Sequence, residues 1–289
     1  MPPLLLALIS AGVMTREEAE RVHRQLDPNA ARDYAERALT QAVQSGLAGQ
    51  QDRLLDLLRR TGNQPTAAQW AAYWRREDDL LLEQLRPALL DVAEERAVSY
   101  AINAGMESTW RMVNESVIDW AQTYYANADA GVFGSIPNLN LTSRTRVLQA
   151  WTDWQRGELE TAGAADGLPQ LIRALEPVFG PERAERIAVT ETTRIFAEAT
   201  IAAELENEFS EAIRLLTAAD ELVCPTCGPL HNQVIPKRQA GGFVHPTLGA
   251  VGYPPFHVRC RCFVMGDTMA ASAVTLPQEE RRAGYVWQT

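Results

Sequence analysis

The sequence predicts a mainly α-helical protein, in which an elongated multi-helix body is followed by a small α+β module near the C-terminal end. Residues 1–210 carry apolar side chains at helical spacing and repeated helix-capping signals. After Ser210 the composition changes, because residues 211–268 hold all four cysteines, three of the four histidines, six glycines and six prolines. A segment so poor in apolar side chains is not expected to hold itself together, so we expect a cross-link to hold it.

Net charge restricts the function classes. The chain of 289 residues has 27 Lys and Arg residues against 37 Asp and Glu residues, which gives a formal net charge of −10. An acidic surface argues against a protein that coats nucleic acid, since such binding neutralises phosphates with Lys and Arg. The apolar run at residues 4–9 is far shorter than the ~20 residues that span a membrane. We therefore expect no membrane partner and synthesis in a reducing cytoplasm.

The first helices are indicated by capping and breaking residues. Thr15 and Glu18 form a capping box, which predicts a helix to about Leu26 that the following Asp-Pro dipeptide ends. Helices at residues 30–45 and 50–60 should follow, separated by the glycines at positions 46 and 49 and stopped by a third glycine at position 62.

Residues 66–130 should form long helices that make the body elongated. Thr66 is a good N-cap, and Pro87 should kink or divide the stretch. Apolar side chains recur three and four residues apart, which places them on one helix face and indicates a core or a partner contact. The upstream set is Leu81, Leu85, Leu89 and Val92, and the downstream set is Trp110, Val113, Val117, Trp120 and Tyr124.

The later elements alternate with clear breaks. Residues 131–141 have no helical period and hold two glycines and a proline, so we expect a loop there. Helices are predicted at residues 142–157, 168–179 and 182–208, and strands at residues 212–217 and 261–264. The chain then divides into an N-terminal helical region (1–62), a long-helix body with its loop (63–141), a helical segment (142–210), the cysteine-rich module (211–268) and a C-terminal tail (269–289).

The cysteines fall into two clusters, which predicts a zinc-stapled module. Cys224 and Cys227 form a C-x-x-C pair, and His257, Cys260 and Cys262 follow after a long loop. Two thiolate clusters separated by a loop are typical of a structural zinc site with four N or S ligands. The pair lies outside any βαβ unit that a redox site would need, and no H-x-E motif of a zinc deaminase occurs.

Five candidate ligands compete for four positions. Cys224, Cys227 and Cys260 are the firmest, while the fourth ligand is either His257 or Cys262. His257 lies three residues before Cys260, which suits a turn, whereas Cys262 lies two after it, which suits one side of a strand. With five candidates available, a closed structural site is favoured over a catalytic site that keeps one position for water.

Three segments resemble the phage head-morphogenesis family, of which the minor head protein F of phage Mu is typical. They read RIAVTETTR at residues 186–194, LTAADELVCPTC at 216–227 and PPFHVRCRC at 254–262, in the family's order. Val258 stands where the family often has proline. The resemblance extends over roughly residues 142–266 and leaves the first 141 residues without a parallel.

The resemblance implies a structural minor head protein of a tailed phage or prophage. It implies synthesis in the host cytoplasm, a place in the virion at the portal vertex, and a part in head assembly and in genome packaging or ejection. Its partners would be the portal protein, other head proteins and the packaged DNA, with no small-molecule substrate and no catalytic activity. Residues 214–262 carry five basic side chains against Asp220 and Glu221, so a basic tip on the acidic body is expected to contact either DNA at the portal or an acidic patch on a partner, and three net charges are too few to choose between them.

Two further sets of residues have expected roles in binding. Thr190, Glu191 and Arg194 lie within one helical turn, so they either form a solvated polar face or support the zinc module from the preceding helix. Tyr285 and Trp287 lie close to the C-terminal end and are candidate anchors on a partner, because aromatic side chains dominate binding at interfaces. Folding back of the tail on the helical body and a disordered tail are the alternatives.

A zinc-containing nuclease or toxin-type enzyme is the alternative function. Such an enzyme would need metal-bound His or Asp residues beyond the structural site. The remaining histidines, His23, His231 and His245, are scattered along the sequence and form no paired-histidine motif.

Overall fold

The computed structural model describes residues 1–104, 110–126, 136–159, 167–217, 224–238 and 242–267. The mainly helical fold is confirmed, with small antiparallel strands towards the C-terminal end. The helices are α1 (Pro3–Ser10), α2 (Arg16–Leu26), α3 (Pro28–Arg60), α4 (Ala67–Asn103), α5 (Trp110–Ala126), α6 (Ile136–Arg156), α7 (Leu168–Ala174), α8 (Glu176–Phe179) and α9 (Pro181–Glu206). No helix in the described ranges is long and apolar enough to cross a membrane.

The strands form two small antiparallel sheets. Strand β1 (Ala212–Leu216) lies between β2 (Val234–Pro236) and β5 (Phe263–Asp267). Strands β3 (Phe243–His245) and β4 (Gly249–Gly252) pair separately, and a 3-10 turn (Gly228–Leu230) follows the C-x-x-C pair. We call the described residues from 211 to 267 the cysteine module.

The capping signals predicted the helix boundaries well. The Thr15 hydroxyl accepts from the Glu18 N–H while the Glu18 carboxylate accepts from the Thr15 N–H, as the capping box requires. Thr66 caps the next long helix, α4, in the same way, with Gln69 as its partner. Helices α3 and α4 have 33 and 37 residues, so they extend about 50 and 56 Å at 1.5 Å per residue.

The prediction of two helices at residues 30–45 and 50–60 was wrong, because α3 continues through both glycines. A Cβ atom at Gly46 would lie 2.7 Å from Leu81 Cδ1, so the glycine allows α3 and α4 to approach closely. Pro87 does not divide α4, whose described residues remain helical on both sides. Pro87 and Glu83 are both exposed, so water can hydrogen-bond the carbonyl of residue 83 that the proline leaves free.

The loop expected at residues 131–141 is wrong for its second half, since α6 begins at Ile136 rather than at residue 142. Ile136 is 1% exposed, and its burial against the body stabilises a helical start that the sequence does not signal. The single helix expected at residues 168–179 is instead α7 and α8, which are separated at Leu175.

Helix α9 belongs to two hydrophobic cores. Its Ile195, Ala199 and Ala203 are buried in the helical body, in a cluster that also holds the predicted face of α4. Ala197 and Ile201, on its other side, pack with β1 in the core of the cysteine module. The C-terminal module therefore rests on a helix that the body also needs.

We predict that Arg53→Met will destabilise the protein more than Glu77→Gln. Arg53 donates two hydrogen bonds of 2.7 Å to Glu77, whose side chain is 0% exposed while that of Arg53 is 31% exposed. Removing Arg53 leaves a buried carboxylate without a partner, which costs about 3 kcal/mol, whereas a glutamine leaves Arg53 in reach of water. Urea denaturation of both variants measures the difference, and equal losses would contradict this account.

Candidate metal centre and its support on α9

Two tight turns present the candidate ligands. In the first, the Cys227 and Gly228 N–H groups both donate to the Cys224 carbonyl at 3.0 Å, which folds the C-x-x-C pair back on itself. In the second, the Cys260 N–H donates to the His257 carbonyl at 3.1 Å. Arg259 adopts the left-handed conformation in this turn, with φ of 61°, so the second turn is more strained than the first.

The two turns bring all five predicted ligands into two overlapping groups. His257 Nε2 lies 3.0 Å from the sulfurs of both Cys224 and Cys227. The sulfurs of Cys227, Cys260 and Cys262 form the second group, in which Cys227 and Cys260 are 3.9 Å apart. Cys227 is the member that the two groups share.

Each group offers three of the four ligands of a tetrahedral metal site, with thiolate and imidazole as the ligand types. Zinc–sulfur bonds of about 2.3 Å place two sulfurs of one tetrahedron about 3.8 Å apart, close to the distance between Cys227 and Cys260. His257 Nδ1 donates to the Val258 carbonyl at 2.7 Å, which leaves the Nε2 lone pair directed at the cysteines. The Cys227 and Cys262 thiols lower the pKa of the Cys260 thiol by hydrogen bonding, which favours a thiolate there.

The choice between His257 and Cys262 stays open. His257 groups with the first turn and Cys262 groups with Cys260, so each completes a different set. The strand predicted at residues 261–264 begins only at Phe263, so Cys260 and Cys262 do not lie on one strand face. Their sulfurs nevertheless converge because both side chains are buried, with 0% and 3% exposure.

Two threonine side chains of α9 form hydrogen bonds with the backbone of the second ligand turn. The Thr190 hydroxyl accepts from the Arg259 N–H at 2.9 Å, and the Thr193 hydroxyl donates to the Cys260 carbonyl. Arg32 of α3 reaches the same place, donating to the Thr193 hydroxyl and to the Arg261 carbonyl at 3.3 Å. The body thus contacts the backbone of the ligand turn through α9 and α3.

Sequence reasoning chose Thr190 but missed Thr193 and Arg32. The i,i+3 spacing of Thr190 and Thr193, which puts them on one face of α9, is a signal that could have identified Thr193. No local signal could have identified Arg32, whose partner Thr193 lies 161 residues further along the chain.

Residues 163–265 match the model of the family described as Phage Mu protein F like protein. The match confirms the predicted resemblance, although it begins later than residue 142 and covers less than half of the chain. We call residues 163–265 the Mu F-like segment. It includes α9, both ligand turns and most of β5. No curated protein and no solved structure matches the chain.

Glu191 and Arg194 of the Mu F-like segment face α5 rather than the ligand turns. Glu191 Oε2 accepts from the Tyr125 hydroxyl at 3.1 Å and from Arg194 Nε at 3.2 Å. Burial raises the pKa of Glu191, and the Arg194 charge opposes that shift. Arg194 also lies over the ring of Tyr124, at 5.1 Å from its centre. These two residues link α9 to the predicted aromatic face of α5.

Most basic side chains of the cysteine module are engaged with acceptors on the protein. Arg214 pairs with Asp267, Arg259 with Glu185 of α9, and Arg261 with Glu36 of α3. Lys237 donates to the carbonyls of residues 204 and 207. The basic tip expected from the sequence therefore holds the module on the acidic body and offers little free charge.

The remaining module histidines lie outside both metal groups of the described residues. His231 Nδ1 lies 3.2 Å from the Thr217 N–H, and burial and the Arg214 charge lower the pKa of His231. His245 Nδ1 accepts from the N–H groups of Thr247 and Leu248, at 3.2 Å each. The first imidazole therefore links the end of β1 to the residue after the 3-10 turn, and the second organises the turn between β3 and β4. Tyr285 and Trp287 lie outside the described residues, so their predicted role as anchors stays a prediction.

We predict that Cys227→Ser will remove bound metal, because Cys227 belongs to both ligand groups. Elemental analysis of protein purified without chelator should give about one zinc per chain for the parent and well under a tenth of that for the variant. Of His257→Ala and Cys262→Ala, one should lose zinc and the other keep it, which identifies the fourth ligand. Parent protein with well under one zinc per chain would contradict the assignment.

We also predict that Thr190→Val and Thr193→Val will each destabilise the zinc-loaded protein by about 1–3 kcal/mol. Each change leaves a backbone group of the ligand turn without its side-chain partner, in a buried place at the Cys260 carbonyl and in a part-buried one at the Arg259 N–H. Thr192→Val is the matched control, because the Thr192 hydroxyl is buried without a hydrogen-bond partner among the described residues. Denaturant unfolding measures all three, and equal effects at the three positions would contradict the support role.

Proposed function

We propose that the protein is a structural minor head protein of a tailed phage or prophage, which assists head assembly at the portal vertex and takes part in genome packaging or ejection. The observation that carries the proposal is the match of the Mu F-like segment, which holds the candidate metal centre and the helix beneath it. The partners are the portal protein, other head proteins and the packaged DNA. The place of action is the phage head, after synthesis in the host cytoplasm.

The metal in this proposal is one structural zinc ion. Five side chains are available for four positions, which favours a closed coordination shell with no water on the metal. The threonine contacts from α9 also support a structural role, since they fix the backbone of a ligand turn rather than orient a reacting group. We therefore propose that the zinc stabilises the cysteine module and that the protein has no catalytic activity.

The portal is proposed as a partner of the C-terminal tail. Tyr285 and Trp287 follow a charged stretch at residues 279–282, a composition suited to a short peptide that docks in a groove. Removing residues 283–289 leaves that charged stretch and deletes both aromatic anchors, so one truncation separates their contribution from that of the folded protein.

We predict that purified heads will contain the full-length protein and that truncation after Arg282 will strongly reduce its incorporation. The measurement is immunoblotting of particles purified from a host that carries the encoding phage, alongside thermal unfolding of the truncated protein alone. A truncated protein that is stable yet absent from heads supports docking, whereas normal incorporation contradicts it. Absence of the full-length protein from heads, with zinc-dependent nuclease activity in the purified protein, would overturn the structural function.

A further inference from the structure

A cavity of about 330 Å³ opens between α6 and α9, beside the second ligand turn. Its lining includes three arginines, Arg146 of α6 and Arg183 and Arg186 of α9, together with Val258 of the turn. The remaining lining residues are Asn138, Leu139, Thr142, Ile187, Thr190 and Glu191. A concentration of positive charge in one concave place is unusual in a protein with a net charge of −10.

The three arginines have no carboxylate partner among the ion pairs of the described residues. Arg183 has the greatest need of a charged partner, because its side chain is buried, with 6% exposure. Its guanidinium donates to the Ser143 hydroxyl at 2.8 Å, the Val178 carbonyl at 2.6 Å and the Leu139 carbonyl at 3.0 Å, all of which are uncharged. These bonds hold the group in place without neutralising it, and an uncompensated buried charge is costly.

The arginines are close enough to affect each other's charge. Burial lowers the pKa of Arg183 to about 10, and repulsion by Arg146 and Arg186 adds to that shift. The lining holds one carboxylate, that of Glu191, which is occupied by Arg194 and the Tyr125 hydroxyl on the α5 side of the helix. The cavity therefore presents a net positive charge that the described side chains leave unbalanced.

We infer that this cavity binds a phosphate group. Planar guanidinium groups donate in pairs to tetrahedral oxyanions, and three of them at one site suit a ligand with several acceptor oxygens better than a single carboxylate. The volume exceeds that of one phosphate, so the group can arrive as free phosphate or as part of a nucleic-acid strand. None of the five candidate metal ligands lines this cavity, and the inference extends the proposed function, which assigns no anion site to the protein.

The test uses two phosphate probes and two double variants of the full chain. The probes are inorganic phosphate, followed by calorimetry, and a short fluorescent oligothymidylate, followed by anisotropy. Arg146→Gln with Arg186→Gln removes two cavity charges without touching Arg183, whose hydrogen bonds join α6, α8 and α9. Arg144→Gln with Arg156→Gln is the matched control, since both residues lie on α6, are exposed and are absent from the lining.

We expect the cavity variant to bind phosphate at least tenfold more weakly than the parent, and the control to stay within twofold. If the source is nucleic acid, the oligothymidylate binds more tightly than inorganic phosphate, and the cavity variant lowers the salt dependence of its binding by roughly 1–2 in the log–log slope. If the source is free phosphate, inorganic phosphate binds and the oligothymidylate does not compete.

Three results would overturn the inference. The first is no binding of either probe by the folded parent protein at millimolar concentration. The second is equal binding by the parent and the cavity variant, which would place the site elsewhere. The third is displacement of phosphate by polyglutamate of comparable charge with equal or higher affinity, which would identify a carboxylate site for an acidic partner. None of these outcomes depends on whether the protein enters phage heads.

Discussion

The contact between the hydroxyls of α9 and the backbone of the second ligand turn is the interaction on which the C-terminal part of the structure depends. The turn carries His257 and Cys260, and its conformation includes a left-handed Arg259, so it needs outside support. Thr190 and Thr193 provide that support at two successive points of the backbone. A metal ion can close the two cysteine turns against each other, and these hydroxyls, together with Arg32 and the ion pairs of Arg259 and Arg261, fix where the closed unit sits on the body.

The basic side chains of the molecule fall into two groups that differ in their partners. The basic side chains of the cysteine module meet carboxylates of α3, α9 and β5, so they serve attachment, and the body keeps its acidic exterior. The arginines around the α6–α9 cavity differ from them because their partners are uncharged or absent among the described residues. Within the part of the chain that the structure describes, the two groups of basic residues thus differ, because those of the module are paired with carboxylates and those that line the cavity are not.

Short-range sequence patterns were sufficient to predict some of these features. Capping at Thr15 and Thr66 is a short-range property, and so is the C-x-x-C turn, which explains why both were predicted. The continuity of α3 across Gly46 and of α4 across Pro87 depends on packing against Leu81 and on exposure to water, neither of which a local pattern records. The approach of Arg32 to Thr193, and of Arg146 to Arg183, arises from tertiary structure between distant segments, so residue spacing could not reveal it.

The Arg32–Arg261 contact has a consequence for how the chain is made. The two residues are 229 positions apart, so during synthesis α3 leaves the ribosome long before the strand that completes its surroundings exists. Until then Arg32, which is partly buried in the folded protein, and the Thr193 hydroxyl lack the backbone carbonyls of residues 261 and 260 that they contact. The two cysteine clusters can share a metal ion only after residue 260 has been translated, and a nascent chain that stops earlier leaves the surface of α9 around Thr190 and Thr193 uncovered by the turn.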